Sequence, residues 1–389
     1  MNYKDLFPMF KNNPGIVYFD NSALTFKPQT VINSGIDFYE KYSISTRTAD
    51  SVLGIQTEEV MHETRKKIAD LIDASADQTI FTSGTTDGLN LISLMLKDII
   101  KDGEIIFSYF NHSSAIVPFI ENLKNNNITF KYAKDNEEVL DLINEKTRLI
   151  VLPQLTNNFN VFFDLKKIHQ KSKKYGAYLI NDAAQAIAHE KVSLNDCDVI
   201  VFSSNKIYGP TGMGALAIEK NLLKKIVPQK WGGGQVQSIG SGCEWSAKND
   251  IKKFEPGTPN FAGIFQFNAA IDFINSLGYE LINKLETAVA NYCYDELKTI
   301  DGIEIDSKRG DKIILFNIKN IPSQDIASYL GHNNIYVRSG VFCAHKFHEL
   351  KQYGNSYVRI SISFYNDYND VDKFIKLLKE MGANFLEFL

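Results

Sequence analysis

AYLINDAAQAIAHEKVSLNDCDVIVFSSNK (177–206) holds two apolar runs, each closed by polar residues, and its reading decides the fold. The first run, AYLIN, ends at Asp182 with Gln185 just beyond; the second, DVIVFSS, ends at Asn205 and Lys206. Short, nearly continuous apolar runs suit strands covered on both faces by helices. Two more lie upstream, EIIFSY (104–109) and RLIVLPQ (148–154). The stretch DLKKIHQKSKKYG (164–176), closed by Gly176, fits a crossover helix between two of them. This alternation predicts an α/β fold around a mainly parallel sheet. Ligands of such sheets bind beyond the carboxyl ends of the strands. Asp182, Gln185 and Lys206 all fall there, as do Asn157, His112 and the SGTT turn at 83–86.

Working outward, IVYFDN (16–21) is a short apolar run, and helical periodicity covers Pro28 to Tyr42 and residues 56–72. Thr79 to Thr82 reads as a strand, with Leu89, Ile92, Leu96 and Ile99 at helical spacing after it. Residues 228–261 show no sustained period and many glycines, and a loop of that length predicts work at a site or an interface. The pattern then changes to helices over about 262–300, strands in KIILFNI (312–318), IYVRSG (335–340) and YVRISISF (357–364), and an amphipathic helix from about Asp370. The expected organisation is an N-terminal segment 1–20 packing with the small domain, a large domain 21–264, and a smaller α+β C-terminal domain 265–389 carrying Cys343 and Arg359.

With 44% hydrophobic and 23% charged residues over 389 positions, the composition is that of a globular protein able to bury a large core. A net charge of -4 gives no electrostatic pull toward nucleic acid or an anionic membrane. The basic clusters TRKKI (64–68) and QKSKKYG (170–176) are dispersed and predict solvated helix faces. No apolar stretch has the length of a membrane span, and the start MNYKDLFPMFKNNPG lacks a signal-peptide core, so a cytoplasmic protein is expected. Cys197, Cys243, Cys293 and Cys343 are scattered without CxxC spacing, which argues against a disulfide framework. Cys197 and Cys293 read as packing residues, and His345 with His348 lack the further ligands of a metal site.

A lysine able to form a Schiff base and an aspartate able to pair with a pyridinium nitrogen are what pyridoxal phosphate chemistry requires. A Ser- and Thr-rich turn opening a helix is a suitable phosphate cradle. Taken singly, each leaves an ordinary reading open: Asp182 as a helix cap, Lys206 as a surface lysine, SGTT as another cap.

Six motifs together are more specific: SSNKIYGPTGMG (203–214), NDAAQA (181–186), NHSSAIVPF (111–119), FEPGTPN (254–260), VRSGVFCA (337–344) and YVRISISFYN (357–366). They resemble motifs of class V aminotransferase-fold enzymes and, more closely, of the SufS-type (group II) cysteine desulfurases. The match runs from VYFDNSA (17–23) to the C-terminal helix. The resemblance implies a fold type I architecture with a seven-stranded sheet, pyridoxal 5'-phosphate as cofactor and a homodimer. By its motifs, Lys206 is the Schiff-base lysine and proton shuttle, Asp182 the partner of the pyridine nitrogen, Gln185 that of the ring hydroxyl, and His112 the ring-stacking histidine. Thr85, Thr86 and Ser203 match phosphate donors, with Thr258 contributed by the neighbouring subunit. Asn157 matches the asparagine beside the ring hydroxyl and substrate carboxylate, and Arg359 the substrate carboxylate clamp, where a bidentate fork is the fitting partner. Cys343 matches the thiol that takes sulfur from L-cysteine as a persulfide and releases L-alanine, with Arg338 and Arg47 as nearby cations. A sulfur acceptor or iron–sulfur scaffold protein would be the partner.

Three departures stand out. Asn205 occupies the place of the histidine that commonly precedes the lysine, and an amide can still donate to the phosphate. Val341 and Phe342 replace two histidines before the cysteine, and Thr46, Arg47, Thr48 stand where the family has HRG. Fewer proton carriers then surround the thiol. Another reaction of the same fold, that of a selenocysteine lyase, an aminotransferase or an epimerase, would keep Lys206 and Asp182 without needing Cys343.

Overall fold

Seven strands form the central sheet of the computed structural model, which describes residues 2–46 and 50–388. They are β1 (Thr79–Thr82), β2 (Asp102–Ser108), β3 (Asn127–Ala133), β4 (Thr147–Pro153), β5 (Tyr178–Asp182), β6 (Val199–Ser203) and β7 (Gly214–Ile218). Their order is β1-β7-β6-β5-β4-β2-β3. All pairings are parallel except those of β7, which runs against β6 and β1. The link between Ser203 and Gly214 is too short for a crossover helix, so the chain turns back beside the strand it has just left. The α/β class and mainly parallel sheet expected from the sequence are those of the structure.

Alternate residues along each strand feed opposite cores. Ile106, Ile150, Leu152, Leu179, Ile200 and Phe202 join one cluster, whereas Ile105, Phe107, Leu149, Val151, Ile180 and Val201 join the other. This explains the unbroken apolar runs: both faces of these strands are dry. The helix Thr85–Leu96 lies close against β6, and an added Cβ on its Gly88 would stand 2.4 Å from Val201 Cγ1. A Cβ on Gly214 would likewise meet the Phe202 carbonyl oxygen at 2.5 Å. These close approaches seat the N-terminus of that helix beside the end of β6.

A second sheet contains β8 (Ile303–Ile305), β9 (Ile313–Ile318), β10 (Arg338–Gly340) and β11 (Tyr357–Ser361), antiparallel in the order β8-β9-β11-β10. Ile314, Phe316, Val358 and Ile360 pack there with Val289, Cys293 and Leu297 of the helix Tyr279–Leu297 and with Phe374 and Leu378 of the helix Tyr368–Phe388. Val17 and Phe19 enter this core, and Val17–Tyr18 pairs in parallel with Ile335–Tyr336. The expected division at 264/265 falls inside the helix Phe261–Leu277, whose Phe261, Phe265, Phe267, Ile271 and Ile274 are buried with the large sheet. That packing moves the change of core to the next helix.

The stretch 228–261 is more ordered than its sequence implies: Val236–Ile239 and Trp245–Ala247 form an antiparallel hairpin, followed by a helical turn at Ile251–Phe254. Its strands are largely exposed, so no burial imposes a period on their sequence. Among the described residues no helix is long and apolar enough to cross a membrane, and no cluster of His, Cys, Asp and Glu could hold a metal ion.

Candidate active site

The ends of β4, β5 and β6 open into a cavity of about 250 Å³. Its lining carboxylate is Asp182, the last residue of β5, buried and accepting the Ala184 N–H at 3.2 Å. Burial pushes its carboxyl up, and the charge of Lys206 pulls it back. Lys206 ends the helical turn Ser204–Lys206 directly after β6. Burial pushes its ammonium down to about 8, opposed by Asp182 and reinforced by Arg359 and Arg338. Part of its population is therefore neutral amine near neutral pH. A carboxyl drawn up and an amine drawn down in one cavity are groups prepared to exchange charge with a ligand.

Hydroxyls gather at one end. Ser203 Oγ accepts the Thr85 N–H at 2.7 Å and lies 2.7 Å from Thr85 Oγ1, while Thr86 Oγ1 and Ser114 Oγ are 2.9 Å apart. Thr85 opens the helix Thr85–Leu96, so these hydroxyls stand at a positive helix end able to receive an anion.

His112 caps the short turn Ser113–Ala115 and accepts the Ser114 N–H on Nδ1 at 3.1 Å. Burial first, then Lys206, Arg338 and Arg359, push its pKa down to about 4, so the ring is neutral at physiological pH. Gln185 is buried and donates to the Ser22 carbonyl at 2.9 Å. Asn205 lines the cavity with its amide donating to the Ala23 carbonyl at 3.3 Å; its own carbonyl accepts the Thr25 N–H. In this structure that side chain ties the N-terminal segment to the lysine turn.

The opposite wall comes from the second sheet. Arg359, on β11, is 1% exposed; it donates to Asp20 Oδ1 at 2.6 Å and to the Asn157 carbonyl at 2.9 Å. The Phe342 ring packs 4.9 Å from its guanidinium. Arg338 faces Arg359 across β10 and β11, and its Nη2 stands 4.0 Å from Cys343 Sγ. Cys343 itself is half-buried just outside the cavity wall, between Phe342 and Ala344, which are buried. Asn157 donates to the Phe342 carbonyl at 2.9 Å.

The cavity thus brings together Thr85, Thr86, His112, Asn157, Asp182, Gln185, Ser203, Asn205, Lys206 and Arg359. Thr258 is not among them: it borders a separate depression with Asp87, Lys230 and Glu255. Arg47 lies outside the described residues. Asp20 was not singled out in the sequence, although its place at the end of an apolar run was a signal of the same kind as that of Asp182.

The family profile Aminotransferase class-V matches residues 17–374. The chain belongs to the class V aminotransferases. A relative named "Probable cysteine desulfurase" from Ureaplasma parvum serovar 3 is 37% identical, the match covering 97% of each chain. A cysteine desulfurase of Wigglesworthia glossinidia brevipalpis is 33% identical over 94% of this chain and 93% of its own. Among solved structures, the apo cysteine desulfurase of Thermococcus onnurineus NA1 superposes with a TM-score of 0.90 at 25% identity, covering 98% of this chain and 97% of that one. Within the class V aminotransferases these relatives place the chain with the cysteine desulfurases.

Proposed function

We propose that the protein is a SufS-type cysteine desulfurase that holds pyridoxal 5'-phosphate, converts L-cysteine to L-alanine, and passes sulfur from a persulfide on Cys343 to an acceptor or iron–sulfur assembly protein. The observation that carries this reading is one cavity that joins Lys206, Asp182 and a hydroxyl cluster, with the Cys343 turn against its wall. Three buried polar atoms without a protein partner, Ser22 Oγ, Asn157 Oδ1 and Arg359 Nε, all belong to lining residues. A site built to receive a polar ligand leaves such atoms for it.

The donor set fits the cofactor. Thr85, Thr86 and Ser203 at the helix N-terminus would hold the phosphate, with Asn205 beside them and Thr258 supplied by a second copy in a homodimer. Asp182 would pair with the pyridine nitrogen, Gln185 with the ring hydroxyl, and the neutral His112 ring would lie on its face. When bound, the cofactor supplies an electron sink for the bond broken at the substrate Cα. Lys206, with an amine available near pH 8, would be the residue that holds the cofactor's aldehyde and, when free, the base placed to move the Cα proton. Arg359 would bind the substrate carboxylate through its unpartnered Nε–H, while the unpartnered Asn157 Oδ1, an acceptor, would take a donor such as the ring hydroxyl beside it.

The Cys343 thiolate forms an S–S bond to the substrate sulfur. The substrate C–S bond breaks, its electrons remain on carbon, and a proton taken up there completes alanine. Arg338 sets a cation beside the attacking sulfur, its Nη2 4.0 Å from Sγ. The cofactor groups come from the large sheet and Cys343 with Arg359 from the C-terminal part, so substrate binds between them. None of the four cysteines is paired, which agrees with a cytoplasmic setting.

The test is alanine and sulfide release from L-cysteine with a thiol reductant. Wild type should form both, and Cys343→Ala should lose both while keeping the colour of bound cofactor. A Cys343→Ala protein with full activity would transfer the reading to another reaction of the fold.

A further inference from the structure

The segment that presents His112 also grips the cysteine. Ser113 N–H and Ser113 Oγ each donate to the Cys343 carbonyl at 2.7 Å. That carbonyl belongs to a turn in an uncommon conformation: Phe342 and Cys343 are consecutive non-glycine residues with φ of +54° and +59°. Such backbone persists where its surroundings over-determine it. Here Phe342 is fixed by burial, by the Arg359 guanidinium on its ring and by Asn157 on its carbonyl. Ala344 is buried, and its N–H closes the turn on the Val341 carbonyl at 2.9 Å. Cys343 has no such packing of its own, being half-buried, and its peptide is held by Ser113.

We propose that Ser113 is a positioning residue for sulfur removal, holding the Cys343 peptide in its left-handed conformation beside the residue that faces the cofactor site. This rests on the reading of Cys343 as the nucleophile. His112 and Ser113 are adjacent in the chain, so the same short turn sets the ring site on one side and the thiol on the other. Ser113 touches neither substrate nor cofactor in this account; its effect passes through the thiol's position. A small displacement of a reacting group is costly to the rate while leaving substrate affinity intact.

The experiment compares wild type, Ser113→Ala and Ser113→Thr as holoenzymes. Loss of the hydroxyl should lower kcat for alanine formation about tenfold, with KM for L-cysteine and bound cofactor changed less than about twofold. Threonine keeps the donor and should restore kcat to within about twofold of wild type. Alkylation of Cys343 by iodoacetamide, followed by intact mass, should be about threefold faster in Ser113→Ala, because the freed turn exposes the thiol. An unchanged kcat, or a Thr variant as slow as the Ala variant, overturns the proposal. If wild type forms no alanine, the desulfurase reading fails, and the alkylation rates alone decide whether Ser113 holds the turn: equal rates overturn it.

Discussion

Lys206 inside the cavity and Cys343 just behind its wall are positioned by opposite means. Lys206 follows β6, whose five residues are all buried and locked between parallel and antiparallel neighbours, so the scaffold itself aims it. Cys343 sits in a left-handed turn off a short outer strand, aimed by side chains: Ser113, Asn157 and the Phe342–Arg359 contact. The cofactor half is rich in hydroxyls, whereas the wall before the thiol sets Arg338 and Arg359 around the Phe342 ring. The scaffolded half should tolerate substitution around it, and the clamped half should respond to single side-chain losses nearby.

The largest expected effect is at Lys206. Lys206→Ala should reduce alanine formation by at least about 10³-fold, with the fold retained by circular dichroism. If an appreciable rate survives, the proton at Cα is moved by another group, and the scaffolded half is not where the chemistry is organised. Next is the Asp20–Arg359 pair. Asp20→Ala leaves a buried guanidinium with one fewer partner and should cost about 2–3 kcal/mol of stability in urea titration, with a raised KM for L-cysteine. A variant as stable as wild type with unchanged KM would show that the pair neither supports nor aligns the arginine.

The third prediction concerns pH. His112 is held near 4 in the folded state against about 6.5 unfolded, so the unfolded chain binds more protons between these values. Its contribution to the stability of the cofactor-free protein is therefore complete above pH 6.5 and is lost as pH falls through about 4, by up to about 3 kcal/mol. His112→Asn should flatten this part of the profile in denaturant titrations at stepped pH. Lys206 works in the other direction of readout: capture of added pyridoxal phosphate should accelerate as pH rises through about 8, where the amine loses its proton. The smallest effect is at Phe342. Phe342→Leu keeps the apolar volume and removes the ring from Arg359, which should raise KM about threefold to fivefold. An unchanged KM would reduce Phe342 to a packing residue.

Much of the scaffolded half was legible in the sequence because burial on both faces writes itself as unbroken apolar runs; β2, β4, β5 and β6 were all found that way, with the polar residues that end them. β7 was not, because GALAI breaks its apolar run with Gly214, where a Cβ would meet the Phe202 carbonyl, and with Ala215 and Ala217, which face the core opposite Leu216 and Ile218. β3 was not either, since NITFKYA is only partly buried. The clamped half gave a family register for Cys343 and Arg359 but no sign of what holds them. Asp20 and Arg359 are 339 positions apart, and nothing local in either motif announces the pair. The same holds for Ser113, which reads as an ordinary helix-cap neighbour until Cys343 is seen against it. The amide of Asn205, expected beside a phosphate, reaches in this structure to the Ala23 carbonyl, a contact set by a segment remote in sequence.

The most direct test of the account is peptide mass spectrometry of wild type after brief exposure to L-cysteine without reductant. The account predicts one added sulfur on the peptide bearing Cys343, with Cys197, Cys243 and Cys293 unmodified. Sulfur on a different cysteine, or none on the protein while alanine is formed, would contradict it.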